Sequence, residues 1–237
     1  MAYNYLGLVN DINRRLNEVE LTSANFSTAT GFYNFAKDAV NSAIRHIHHE
    51  EFEWPWNHVE QSEVLTAGVT RYSYPYDAKT INLDSFRIRR DDDLGVATTR
   101  LKTLDYEEYL DKYVDLEYNS STSVRSIPEY ISRAPSRELI VVPTPDKAYE
   151  LVYEYYTVGV DLQKYDDIPV IPEQYRYVII DGSMYYAYMF RGDNQSSQVS
   201  LDKFQSGIKN MRSLHINRTE YLRDTRIIRN RVGGYGY

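Results

Sequence analysis

The chain has 237 residues, 42% of them hydrophobic and 26% charged, with a formal net charge of −7. That balance is globular and sized for one large domain or two small ones, and the negative charge argues against a protein whose main task is gripping nucleic acid. There is no cysteine, so disulfides, thiolate metal sites and cysteine nucleophiles are excluded.

The opening Met1-Ala2-Tyr3-Asn4-Tyr5 carries neither a basic region nor an apolar run, so no signal peptide is expected. No stretch approaches the ~18 uninterrupted apolar residues of a membrane span. The expectation is a soluble, membrane-free protein made in a reducing cytoplasm. One feature departs from the average: 24 tyrosines stand against 7 phenylalanines and 2 tryptophans. An apolar ring with a polar tip suits surfaces that become buried on assembly.

In chain order, the first helix is expected over Tyr5 to Val19, with Leu8, Ile12 and Leu16 four apart. Phe32, Phe35, Ala36, Ala39, Val40, Ala43, Ile44 and Ile47 predict a second helix, capped by Ser27 or Thr28 and ended before Trp54-Pro55-Trp56. Residues 59–165 read as short strands. Ser85 to Arg89 alternates and meets a hairpin tip at Asp91-Asp92-Asp93 and Gly95, and Arg137 to Val142 is fenced by prolines. In the last strand Tyr149, Leu151, Tyr153 and Tyr155 share one face. A short helix interrupts the strands around Tyr106 to Tyr113, and Asn119 to Ser126 reads as a polar loop.

Helical spacing returns after Pro169. Pro172 starts a third helix, Glu173 to Phe190, apolar almost all round and stopped by Gly192. The fourth, Ser196 to Asn217, puts Leu201, Phe204, Ile208 and Met211 on a narrow seam suited to packing on another helix, taken as a contact between subunits. The expected class is α+β: helices from both ends of the chain (1–56 and 169–218) forming a bundle, an antiparallel β domain inserted at 57–168, and an extended arm at 219–237.

The candidate chemistry is thin. His46, His48, His49 and Glu50 cluster at one helix end, but the spacing of a zinc protease is absent, and histidines there also suit the helix dipole. Glu50, Glu51, Glu53 and Asp91 to Asp93 offer carboxylates, although charge runs on helix ends and hairpin tips are usually solvated. Arg191-Gly192-Asp193 is explained by a helix stop and a new turn. No phosphate loop, nucleophile elbow or dinucleotide fingerprint occurs. No catalytic residue, metal or cofactor is expected.

The C-terminal stretch is more informative. From Arg212 to Tyr237 six arginines stand against two acids, on an acidic chain. Ordering residues 224–237 costs on the order of 14–28 kcal/mol of backbone entropy, at about 1–2 kcal/mol per residue. Burying Ile227 and Ile228 returns only roughly 3–6 kcal/mol. Such an arm needs a preformed groove, backbone hydrogen bonds and carboxylate partners.

Four segments resemble the head-to-tail adaptors of short-tailed bacteriophages, the tail tubular protein A or gatekeeper family. They are Leu8-Val9-Asn10-Asp11-Ile12-Asn13-Arg14-Arg15-Leu16-Asn17; Ala36 to Ile44 with Glu53-Trp54-Pro55-Trp56; Ile171-Pro172-Glu173-Gln174-Tyr175 with the tyrosine-rich helix after it; and the arginine-rich arm. The resemblance implies a structural virion protein at the head–tail junction, not an enzyme. It implies a ring of about twelve copies below the portal protein and above a nozzle or tail tube protein, with tail fibres as further neighbours. Double-stranded DNA would pass through without sequence-specific binding. Carried onto this chain, the portal-docking positions are Arg223, Arg226, Ile227, Ile228 and Arg229. The alternatives are another tail component (a tail terminator or nozzle subunit), a cell-wall hydrolase, or a nucleic-acid-binding protein.

Overall fold

The computed structural model describes residues 2–51, 53–92, 95–118 and 122–215; the side chains of 91, 92, 95, 96 and 122 are left out of the description. The chain divides into two compact units, one of the residues up to Trp56 with those from Gly159 onward, the other Asn57–Val158. The class is mixed α+β with an inserted β unit.

The helical unit holds α1 (Tyr5–Arg15), α2 (Phe32–Glu50), α5 (Arg176–Arg191) and α6 (Asn194–His215). Leu8, Val9 and Ile12 of α1, Val40, Ile44 and Ile47 of α2, Val178, Ile179 and Met184 of α5, and Phe204, Ile208 and Met211 of α6 share one core. Each large side chain buried there contributes roughly 1.5–3 kcal/mol of transfer free energy. Trp54 is fully buried and donates its indole N–H to the Ile47 carbonyl (2.8 Å), which anchors the chain as it leaves α2.

Helix boundaries follow local chemistry. Asn4 caps α1 by accepting from Gly7 N. The helix ends at Arg15, short of the expected Val19, where Asn17 enters the left-handed region (φ 57). α2 is not capped by Ser27 or Thr28. Those residues belong to a turn of their own, with Phe26 N donating to Thr22 O and Ala29 N to Asn25 O, and the helix starts after Gly31 at φ 65. Pro172 opens a 3₁₀ turn, Glu173–Tyr175, from which α5 continues. Gly192 (φ 75) closes α5, and Asp193 accepts from Ser196 N to begin α6.

Residues 159–171, expected mostly within the β domain, group with the helices. Asn41 of α2 brackets Leu162, accepting from its N–H and donating to its carbonyl (3.0 Å each). Arg45 pairs with Asp161 (2.9 Å), and Tyr5 N and Leu6 N donate to Asp167 O and Tyr165 O. The Cα of Gly159 lies against the ring of buried His48.

The β unit has two four-stranded sheets. The first, in order β1-β8-β3-β4, joins β1 (His58–Leu65), β8 (Tyr149–Thr157), β3 (Ala78–Asp92) and β4 (Gly95–Arg100), all antiparallel. The second, β2-β7-β6-β5, joins β2 (Arg71–Ser73), β7 (Glu138–Val142), β6 (Tyr130–Ala134) and β5 (Lys102–Thr103); β5 pairs with β6 in parallel. Alternation along β8 buries Tyr149, Leu151, Tyr153 and Tyr155. They meet Phe86 and Ile88 of β3 and Leu139 and Val141 of β7 in a core between the sheets. Tyr153 stacks on Phe86 with centroids 4.6 Å apart. The long β3 is bulged between Asn82 and Arg87, where Ser85 Oγ stands in for a ladder partner and accepts from Glu154 N (2.9 Å). Two short helices, α3 (Tyr106–Lys112) and α4 (Val114–Tyr118), occupy the region expected to hold one. α3 covers the outer face of the second sheet through Tyr109 against Ile140 and Val142.

Candidate functional site

The four seam positions lie in the helical unit's own core. Phe204, Ile208 and Met211 are 0%, 3% and 0% exposed and Leu201 packs at their edge. Gly182 and Gly207 explain why this stripe is spent inside one chain: they let α5 and α6 approach until Phe204 and Val178 fill the space a side chain would need. Phe204, Ile208 and Met211, expected as a contact between subunits, are covered within the chain itself. The apolar side chains of α5 and α6 that do face water are others: Tyr177, Met189, Phe190, Val199 and Leu214.

The tyrosines divide similarly. Tyr5, Tyr72, Tyr109, Tyr149, Tyr153, Tyr155 and Tyr175 are core residues, whereas Tyr76 and Tyr118 are exposed. Burial pushes the phenols of Tyr5, Tyr109 and Tyr153 well above their ordinary range, so they stay protonated and act as hydrogen-bonding packing groups. The cores thus take up seven of the 24 tyrosines, and Tyr165 and Tyr177 are also exposed.

At the end of α2 the histidines diverge. His48 points into the core; His46 and His49 line a cleft of about 370 Å³ with Ser42, Arg45, Glu50 and Tyr186. His46 Nε2 lies 3.4 Å from Glu50 Oε1 and its Nδ1 lies 3.3 Å from the Tyr186 hydroxyl. Among the described residues no group of three or more His, Asp or Glu side chains could hold a metal. Glu50 and Glu51 instead receive Arg212 of α6, at 2.8 and 3.5 Å. The first arginine of the basic stretch is thereby fixed to the helical unit.

A larger cleft, about 690 Å³, is lined by Asp11, Arg14, Arg15, Gln174, Arg176 and Tyr177. Its charges are paired off: Arg176 Nε donates to Asp11 Oδ2 (2.8 Å), Arg14 also engages Asp11, and Arg15 pairs with Asp181 (3.3 Å). Cancelled charges do not poise an acid and a base for proton transfer. In the β unit, Arg71 grips Glu117 through two bonds (2.7 and 3.1 Å) and Glu138 through a third (3.2 Å), while the Tyr109 hydroxyl donates to Glu117. This network ties α4 to β2 and β7. The Asp91 to Asp93 tip joins β3 to β4; its side chains, like the arm positions Arg223, Arg226, Ile227, Ile228 and Arg229, lie outside the described residues. Among the described residues no helix is long and apolar enough to cross a membrane.

In both clefts and in the Arg71 network of the β unit, charged groups are engaged in pairs that tie elements together. The family model described as SU10 adaptor protein matches residues 3–229, and the chain belongs to that family, whose members are bacteriophage structural adaptors rather than enzymes. The protein is accordingly a virion component that works through other phage head and tail proteins. No curated protein matches the chain.

Proposed function

We propose that the chain forms the adaptor ring, of about twelve copies as the resemblance implies, that joins the portal to the tail nozzle and surrounds the path of DNA. One observation carries this reading. The family match runs from residue 3 to 229, so it takes in the helical unit, the inserted β unit and the arm positions Arg223 to Arg229 together. The acidic net charge suits a channel past which a polyanion slides without adhering.

In this reading the arm docks on the portal through Arg223, Arg226, Ile227, Ile228 and Arg229. Individually weak arms reinforce one another on a symmetric partner. Subunit contacts fall to the water-facing apolar residues of α5 and α6, and the β unit meets nozzle or fibre proteins. The test is electron microscopy of the protein mixed with its cognate portal. Rings capping one end of the portal are expected, and a chain ending at Thr219 should stay folded but leave the portal bare. Portal particles that remain undecorated by the full chain would overturn the proposal.

A further inference from the structure

The order β1-β8-β3-β4 leaves two strands of the first sheet open on one side, β1 and β4. Both are regular edges. β1 pairs with β8 through eight consecutive positions and β4 with β3 through six, without a register shift. β1 holds neither lysine nor proline, the residues that most often blunt an edge. Val64 on it is 67% exposed. A straight open edge of this length is a template for another strand.

The water-facing side of this sheet is polarised. Val59 of β1, Tyr153 and Tyr155 of β8 and Phe86 and Ile88 of β3 belong to the core. Alternation therefore turns Glu60, Glu154 and Arg87 outward, together with Arg100 of β4, the partner of Arg87. The registers place Glu60 directly across from Glu154, and Arg87 directly across from Arg100. Each edge thus carries a like-charge pair, negative at β1 and positive at β4, and such pairs are unfavourable. Local partners do little to cancel them. Among the described residues Glu60 and Arg87 join no ion pair. Arg100 meets Asp84 (2.6 Å), an exposed pair of small worth, and Glu154 meets His58 (3.5 Å).

We infer that β1 of one copy pairs antiparallel with β4 of the next, Glu60 opposite Arg100 and Ser62 opposite Thr98, so that the sheet continues from subunit to subunit. One row across the join then reads Glu154, Glu60, Arg100, Arg87, and each like-charge pair gains the opposite charge beside it. This register keeps core-facing and water-facing residues on their own sides. The strand directions fit as well. Four strands in antiparallel succession leave β1 and β4 running oppositely, so a neighbour rotated about an axis along the strands presents β1 antiparallel to β4. Contact between two different edges is heterologous: it repeats from copy to copy and closes where the rotation closes. The inference rests on the ring reading for its place in the virion, and adds a contact between copies to the one assigned to α5 and α6.

The chain holds no cysteine, so the double variant Ser62→Cys/Thr98→Cys reports the join directly. Within one chain the two positions lie three strand spacings apart, about 14 Å, too far for a disulfide. Opposite residues of paired strands are only about 4.5–5.5 Å apart. Mild oxidation of the full-length variant, alone at high concentration and mixed with its cognate portal, should give a ladder of covalent oligomers on a non-reducing gel. Adding Glu60→Arg should lower the linked fraction about threefold or more, and Glu60→Arg with Arg100→Glu should restore it. No linked oligomers in either sample, or linking that Glu60→Arg leaves unchanged, would overturn the inference. Equal linking by Ser62→Cys alone would also overturn it, since β1 would then be pairing with its own kind. Portal-capping rings without the link would overturn this contact and leave the ring reading standing. Links without portal capping would support this contact and overturn the portal reading.

Discussion

Gly182 of α5 lies so close to the Phe204 ring of α6 that a Cβ at this position would sit 2.6 Å from Cε2. A Cβ on Gly207 of α6 would meet Val178 of α5 at 2.9 Å, so each helix supplies a gap for the other's large side chain. Gly182→Ala cannot be accommodated by a flexible tip, because Phe204 is fully buried. The expected cost is about 1–3 kcal/mol, read as a lower urea midpoint for the helical unit. An unchanged midpoint would show that the ring has room to move.

A second close approach joins Gly159 to His48. A Cβ there would come within 2.2 Å of the His48 ring, itself 5% exposed. Gly159→Ala should cost about 1–3 kcal/mol. Combined with His48→Ala, most of that penalty should vanish, giving a coupling energy above about 1 kcal/mol in a double-mutant cycle. Additive losses would disprove the clash.

Asn41 is a buried amide that does the work of a strand partner. It satisfies both backbone groups of Leu162 and donates to the Tyr5 hydroxyl (3.2 Å). Asn41→Leu keeps the volume but strands a buried N–H and a carbonyl, at a cost of about 1–3 kcal/mol each. Amide exchange at Leu162 should rise towards that of an unprotected loop; retained protection would assign the pinning elsewhere.

The Arg71 network makes the β unit sensitive to acid. The Arg71 guanidinium holds the Glu117 carboxyl below its ordinary value, aided by the Tyr109 hydroxyl. A depressed folded-state value means that the stabilisation is present above the ordinary carboxylate range and is lost as pH falls through the lowered value. Glu117→Gln should therefore destabilise the β unit by about 1–2 kcal/mol near neutral pH. The gap between the wild-type and variant urea midpoints should narrow as pH falls below the ordinary carboxylate range of about 4. A constant gap down to pH 3 (roughly one unit below the ordinary range) would show that the charge on Glu117 is not what matters.

The parts of this architecture legible in the sequence are those set by periodicity. The stripe through Val40, Ile44 and Ile47 and the alternation through Tyr149 to Tyr155 both became core, because a spacing of 3.6 or 2 residues fixes which side chains share a face. The pattern is ambiguous where a residue has two uses. The seam through Phe204 and Met211 looks the same whether its partner is another chain or α5, and only the glycines opposite it decide. Thr28 could have capped a helix, but Asn25 had already drawn it into a separate turn. The buried asparagines Asn10 and Asn41 left one faint mark, a polar residue within an apolar stripe. Their partners Leu21 and Leu162 are distant in sequence, so pairing them needs the fold.

β1 and β8 open and close the inserted unit as one antiparallel ladder, with His58 opposite Tyr156. The chain thus departs and comes home through the same doorway, the two strands about 5 Å apart. Whatever is strung between them can lengthen, shrink or be exchanged without asking the helices to move. Tension on the two ends would part the ladder like a zipper, one rung at a time, instead of loading every bond at once. A lineage that must refit its appendages to new neighbours could therefore alter the insertion and leave its framework alone.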